Sequence, residues 1–111
     1  MPGPINVDQV EVDSTDARDH RPLFTLDDKL GLTHGRVSYR SRDSQPDGPL
    51  DPPHDWTELL HVISGTGVVQ LEDELIDVRA NDALVILPGT RHRIWATGGS
   101  ALETMYVSLR S

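Results

Sequence analysis

What most constrains this chain is the recurrence of short apolar runs at nearly regular intervals, each closed by Gly, Pro, Asp or Asn. Stretches rich in Val, Ile, Leu and Tyr fall at 22–26, 35–41, 57–63, 66–71, 74–79, 83–87, 92–96 and 102–109. Several alternate apolar with polar residues, as in Gly67-Val68-Val69-Gln70-Leu71-Glu72 and Leu75-Ile76-Asp77-Val78-Arg79, which is the period of a half-buried strand. No segment keeps apolar residues at helical spacing over three turns. Turn chemistry stands where strands are expected to reverse: Ser64-Gly65-Thr66-Gly67, Glu72-Asp73-Glu74, Asn81-Asp82, Pro88-Gly89 and Gly98-Gly99-Ser100. Pro88-Gly89 suits the centre of a type II turn, because Pro fixes the first φ and Gly accepts the positive φ that follows. The sequence therefore predicts an all-β fold.

With 111 residues the chain has room for one core, so a single domain is expected over 21–111, preceded by an arm over 1–20. Acidic residues crowd into 8–28, which reads as a solvated segment without chemistry of its own. The formal charge of −8 opposes binding to nucleic acid or to anionic lipid surfaces. No apolar stretch approaches the roughly eighteen residues of a membrane-spanning helix. The N-terminal sequence lacks the basic start and apolar run of a secretory signal, so a cytoplasmic location is expected. There are no cysteines, which removes disulfides, thiolate zinc sites and cysteine nucleophiles; any metal must be held by His, Asp or Glu.

Attention therefore passes to the five histidines. His54 and Glu58 have the same parity in His54-Asp55-Trp56-Thr57-Glu58, but four residues of extended chain span roughly 13 Å, too far for both to reach one ion. A bend at 55–57 is required. His92 follows the Pro88-Gly89 turn, with Ile94 and Ala96 on its face. Two imidazoles and a carboxylate gathered at a barrel mouth would leave coordination positions open for substrate. His61 has the opposite parity to Glu58 and is expected to face away, toward a subunit contact or solvent. His20 falls in the arm and His34 before a strand, where solvent or turn roles are expected. Arg36, Tyr39 and Tyr106 lie on strands able to line a barrel, where an Arg would orient an acidic substrate and a Tyr hydroxyl relay a proton. Trp56 could lid the mouth, and Trp95, next to an inward Ile94, is expected to point outward into a subunit interface.

Residues 48–96 resemble the two motifs of the cupin superfamily, whose fold is a jelly-roll β-barrel. The first motif, G-x5-H-x-H-x3or4-E-x6-G, finds its second histidine in His54, its glutamate in Glu58 and its closing glycine in Gly65. Its first histidine falls at Pro52, and Gly48 stands at the wrong distance for the opening glycine. The second motif, G-x5-P-x-G-x2-H-x3-N, is matched by Gly89 and His92, with Asn81, Leu87 and Ala96 in place of its glycine, proline and asparagine. The resemblance implies a divalent ion (Fe, Zn, Mn or Ni) held by His54, Glu58 and His92, with water, His34 or Asp51 taking the vacant position. It also implies a small-molecule enzyme, a cyclase or isomerase like the monocupin polyketide cyclases or a dioxygenase, with Glu58, His92 and Tyr106 as the catalytic set. A metal-free acid–base enzyme and a non-catalytic ligand-binding or sensing barrel are the alternatives. A homodimer is expected, formed by adding the strand from Ile5 to Val12 to a partner's edge.

Overall fold

The computed structural model describes residues 4–26, 31–42, 45–46 and 48–110. Asp27 and Asp28 of the acidic segment, and residues 43, 44 and 47 of the Pro-rich loop, lie outside them. The fold is all-β. Its strands are Asp13–Ser14 (β1), Arg18–Leu26 (β2), Leu32–Tyr39 (β3), Thr57–Ser64 (β4), Thr66–Leu71 (β5), Glu74–Arg79 (β6), Ala83–Ile86 (β7), His92–Ala96 (β8) and Leu102–Leu109 (β9). A single 3-10 turn, Val7–Gln9, precedes them. Six strands form one antiparallel sheet in the order β1-β2-β3-β9-β4-β7, and three form a second in the order β6-β5-β8. The two sheets form the jelly-roll sandwich.

Alternation decides which side chains the sheets enclose. In β9, Leu102, Thr104, Tyr106 and Ser108 are buried while their neighbours are not. Val37 and Tyr39 of β3, Leu60 and Val62 of β4, and Ile86 of β7 turn to the same interior, and Val69, Val78 and Ile94 answer from the smaller sheet. Full burial of a side chain such as Leu60 or Ile86 stabilises the fold by about 2 kcal/mol. Thr104 is the one wholly buried polar side chain among the described residues, and its hydroxyl donates to the Val37 carbonyl at 2.9 Å.

The turns follow their chemistry, with one exception. At Leu87–Thr90 the Thr90 N–H donates to the Leu87 carbonyl and Gly89 has φ of 80°, as a type II turn requires. At Ser64–Gly65 the chain does not reverse. β4 pairs with β7 and β9, whereas β5 pairs with β6 and β8, so Gly65 is where the chain steps from one sheet to the other. A Cβ there would lie 2.6 Å from the Ala101 carbonyl oxygen. Trp95 also departs from expectation. It alternates with Ile94, yet it is only 5% exposed within the single chain. No subunit contact is needed to cover it.

Candidate functional site

The loop before β4 bends at Asp55 and Trp56, as the spacing demanded, and β4 begins at Thr57. His54 thus stands outside the strand. Its backbone is fixed from the second motif, since the Gly89 N–H donates to the His54 carbonyl at 2.9 Å. Its ring lies on the Trp56 indole, centroids 4.4 Å apart and 8° from parallel. Its Nδ1 is 2.9 Å from the Trp56 carbonyl oxygen. A carbonyl only accepts, so Nδ1 carries a proton, and in the neutral ring the lone pair falls to Nε2. That Nε2 is buried with no hydrogen-bond partner among the described residues, and so is Nδ1 of His92. The two rings are 5.3 Å apart at 65°.

Both histidines line a cavity of about 890 Å³, within the ordinary range for small-molecule sites. Tyr39, Asp51 and Trp56 line it as well. Asp51 is held there by its N–H, which donates to the His92 carbonyl at 3.0 Å. Burial drives the Tyr39 hydroxyl far above its ordinary pKa, so it stays protonated.

Glu58 opens elsewhere. It lines an adjoining cavity of about 260 Å³ with His20, Tyr106 and Ser108, and Arg18 and Trp56 are common to both cavities. The Ser108 hydroxyl lies 3.4 Å from Glu58 Oε1, and His20 Nε2 is 2.7 Å from the Tyr106 hydroxyl. Burial, and then the Glu58 carboxylate, raise the Tyr106 pKa, against Arg18. Burial, and then Arg18, lower that of His20, against Asp13. Gly35 makes room for this arrangement, because a Cβ at that position would strike the Tyr106 ring at 2.7 Å.

The expected residues therefore divide into two groups. His54 and His92 come together, Glu58 and Tyr106 come together, and Arg18 and Trp56 form the wall between them. Arg36 and His61 stand on the outer face of the larger sheet by alternation, and His34 stacks there on Phe24 at 6.2 Å, away from both cavities. His20 was missed. Its place among Arg18, Asp19 and Arg21 reads as a charged arm, and only strand pairing with Val37 turns it inward.

A divalent ion can be tested against this donor set. His54 Nε2 and His92 Nδ1 supply two unpaired donors, but Glu58 faces the neighbouring cavity. Among the described residues no three His, Asp or Glu side chains are grouped to hold an ion. The set as it lies does not fit a three-ligand centre.

A family model described as Cupin domain matches residues 43–108. The chain belongs to the cupin family. No curated protein matches the sequence. Among solved structures this cupin is similar to the Cnp3 cupin domain of Schizosaccharomyces pombe, with 13% identity over 97% of this chain and 74% of that one and a TM-score of 0.79. It is similar as well to a predicted oxalate decarboxylase of Thermotoga maritima, with 16% identity over 98% and 100% and a TM-score of 0.77. A third likeness is Streptomyces PAC13 solved with uridine, with 19% identity over 98% and 82% and a TM-score of 0.75. At these identities the likeness is one of fold. No helix among the described residues is long and apolar enough to cross a membrane.

Proposed function

We propose that this cupin is a small-molecule enzyme that moves protons on an oxygenated intermediate, as an isomerase or cyclase does. The observation that carries the reading is the pair of buried, unpaired imidazole nitrogens, His54 Nε2 and His92 Nδ1, on residues lining one cavity. Buried polar atoms are ordinarily satisfied, and two left open side by side are poised for a ligand. The tautomer of His54 makes its Nε2 a base. It withdraws a proton from a carbon beside a carbonyl, and the same ring, or His92 after taking that proton over, returns it at another atom, so that both imidazoles end as they began. Substrate is rearranged or closed into a ring with no net change in protons or electrons. Glu58 acts from the inner cavity, where its carboxylate helps keep Tyr106 protonated.

The test is exchange of substrate protons in D₂O across a panel of hydroxy ketones and β-keto acids, followed by NMR. His54→Ala and His92→Ala should each slow exchange by about a hundredfold or more. Binding without exchange for every compound would favour a non-catalytic ligand-binding protein instead.

The same unpaired nitrogens favour a second reading, in which His54 and His92 hold a divalent ion and Glu58 turns from its cavity to complete the set. The ion would supply Lewis acidity or, as iron, sites for O₂. Elemental analysis of untagged protein discriminates. Near-stoichiometric iron lost in both histidine variants supports an oxygen-using enzyme, and zinc lost in both supports a metal-dependent cyclase or isomerase.

A further inference from the structure

We infer that the cavity beside His54 and His92 takes a small organic anion, a carboxylate or phosphate ester that also bears hydroxyl or carbonyl oxygens. The inference rests on the reading above in that it concerns the same cavity. The chain carries a formal charge of −8, yet Arg18, Arg42 and Arg93 all line this one opening. The two ion pairs among the described residues are Arg40 with Asp19 and Arg91 with Glu72. Neither involves a cavity arginine, so three guanidinium groups converge without a carboxylate partner among the described residues. Asp51 and Asp55 also line the cavity, but both are exposed to solvent and neither pairs with these arginines.

Arg93 is held in place without being neutralised. Its guanidinium donates to the carbonyls of Pro46 and Gly48, neutral acceptors that fix the planar fork beside the cavity without cancelling its charge. Three arginines against two aspartates leave the lining with a net positive charge, which disfavours a cationic ligand, and a neutral ligand would leave the arginines without a paired anion. An anionic ligand pairs with them, and guanidinium groups match carboxylate and phosphate oxygens in particular. The other end of the ligand meets His54 Nε2, which accepts from a hydroxyl. Trp56, whose Nε1–H is likewise buried without a partner, donates to an oxygen.

Trp56 also supplies the reporter. Its indole N–H resonance is followed in ¹⁵N-labelled full-length protein during titration with gluconate, glucose phosphate or glucose, with the buried Trp95 as a control for intact folding. The expected result is a saturable shift of Trp56 with gluconate or glucose phosphate and none with glucose at the same concentration. The stronger of the two anions identifies carboxylate or phosphate as the recognised group. Arg18→Gln and, should that variant fail to fold, the exposed Arg42→Gln should weaken the response about tenfold, equivalent to about 1.4 kcal/mol. Equal responses to glucose and the anions, no response to any probe, or undiminished binding by a folded arginine variant would each overturn the inference. Anion binding without proton exchange on any substrate would leave it standing and defeat the proposed reaction. Proton exchange on neutral substrates, with no preference for anions, would do the reverse.

Discussion

His20 pairs across the sheet with Val37 and reaches the Tyr106 hydroxyl on the next strand but one. Its imidazole pKa lies below the ordinary 6.5, chiefly because it is half-buried and then because of Arg18, with Asp13 opposing. As pH falls below about 6.5 the unfolded chain takes up this proton first. The stability that His20 contributes is therefore complete above that value and is lost as pH falls through the folded pKa. His20→Gln should cost about 1 kcal/mol at pH near 7.5, the worth of an ordinary hydrogen bond. The difference in melting temperature between the two proteins should narrow on acidification to pH near 5, because the variant has no imidazole to protonate. A gap that stays constant over that range, measured by circular dichroism, would remove His20 from the account.

Strand β8 and the loop before β4 form one working element, tied by the backbone bond from Asp51 to His92 and by Arg93 on the carbonyls of Pro46 and Gly48. Replacing Arg93 with Met keeps the apolar stem and removes both side-chain bonds. Hydrogen bonds to charged groups are worth about 1.5–3 kcal/mol each when buried, and partial exposure here brings the expected total to about 2 kcal/mol. The loop should then be cleaved faster in limited proteolysis and the Asp51 amide should exchange sooner, while amides of β5 and β9 keep their protection. Unchanged exchange at Asp51 would mean that the backbone bridge alone holds the loop. At this scale much was legible in advance. The strands at 66–71, 74–79, 92–96 and 102–109 match the expected bounds, because the turns that flank them carry Gly, Asp or Asn. The start of β2 was not legible. Arg18 and His20 face a cavity instead of apolar side chains, so the polarity that marks a site reads in sequence as a solvated arm. The convergence of His54 with His92 was readable from motif spacing. The direction of Glu58 was not, since parity along β4 turns it inward without saying which of two adjoining cavities it enters.

At the scale of the whole molecule the outer face of the larger sheet carries an apolar patch over β4, β7 and β9. Leu59 and Ile63 on β4, Val85 on β7 and Leu109 on β9 are 42%, 39%, 46% and 38% exposed, with Met105 and Val107 beside them. Ile5 and Val12 of the arm are exposed as well. A chain with a formal charge of −8 repels its own copies at most orientations, and two copies meet at least cost where both present a face without acids. Leu59, His61, Ala83, Val85, Met105 and Val107 make such a face, with a shallow groove among them. A homodimer through this surface is therefore expected, in place of strand addition by the arm, because Ile5 to Val12 holds a 3-10 turn and no strand. Light scattering after size exclusion should give twice the 12.3 kDa chain mass, and the melting temperature should rise with protein concentration, as it does when folding and association are linked. Val85→Lys sets two like charges into the contact and should yield a monomer. Because Val85 is half exposed within one chain, that monomer should lose no more than about 0.5 kcal/mol of its own stability. A native protein that elutes as a monomer at every concentration would defeat the dimer. A Val85→Lys protein that remains dimeric would instead assign the contact to another surface.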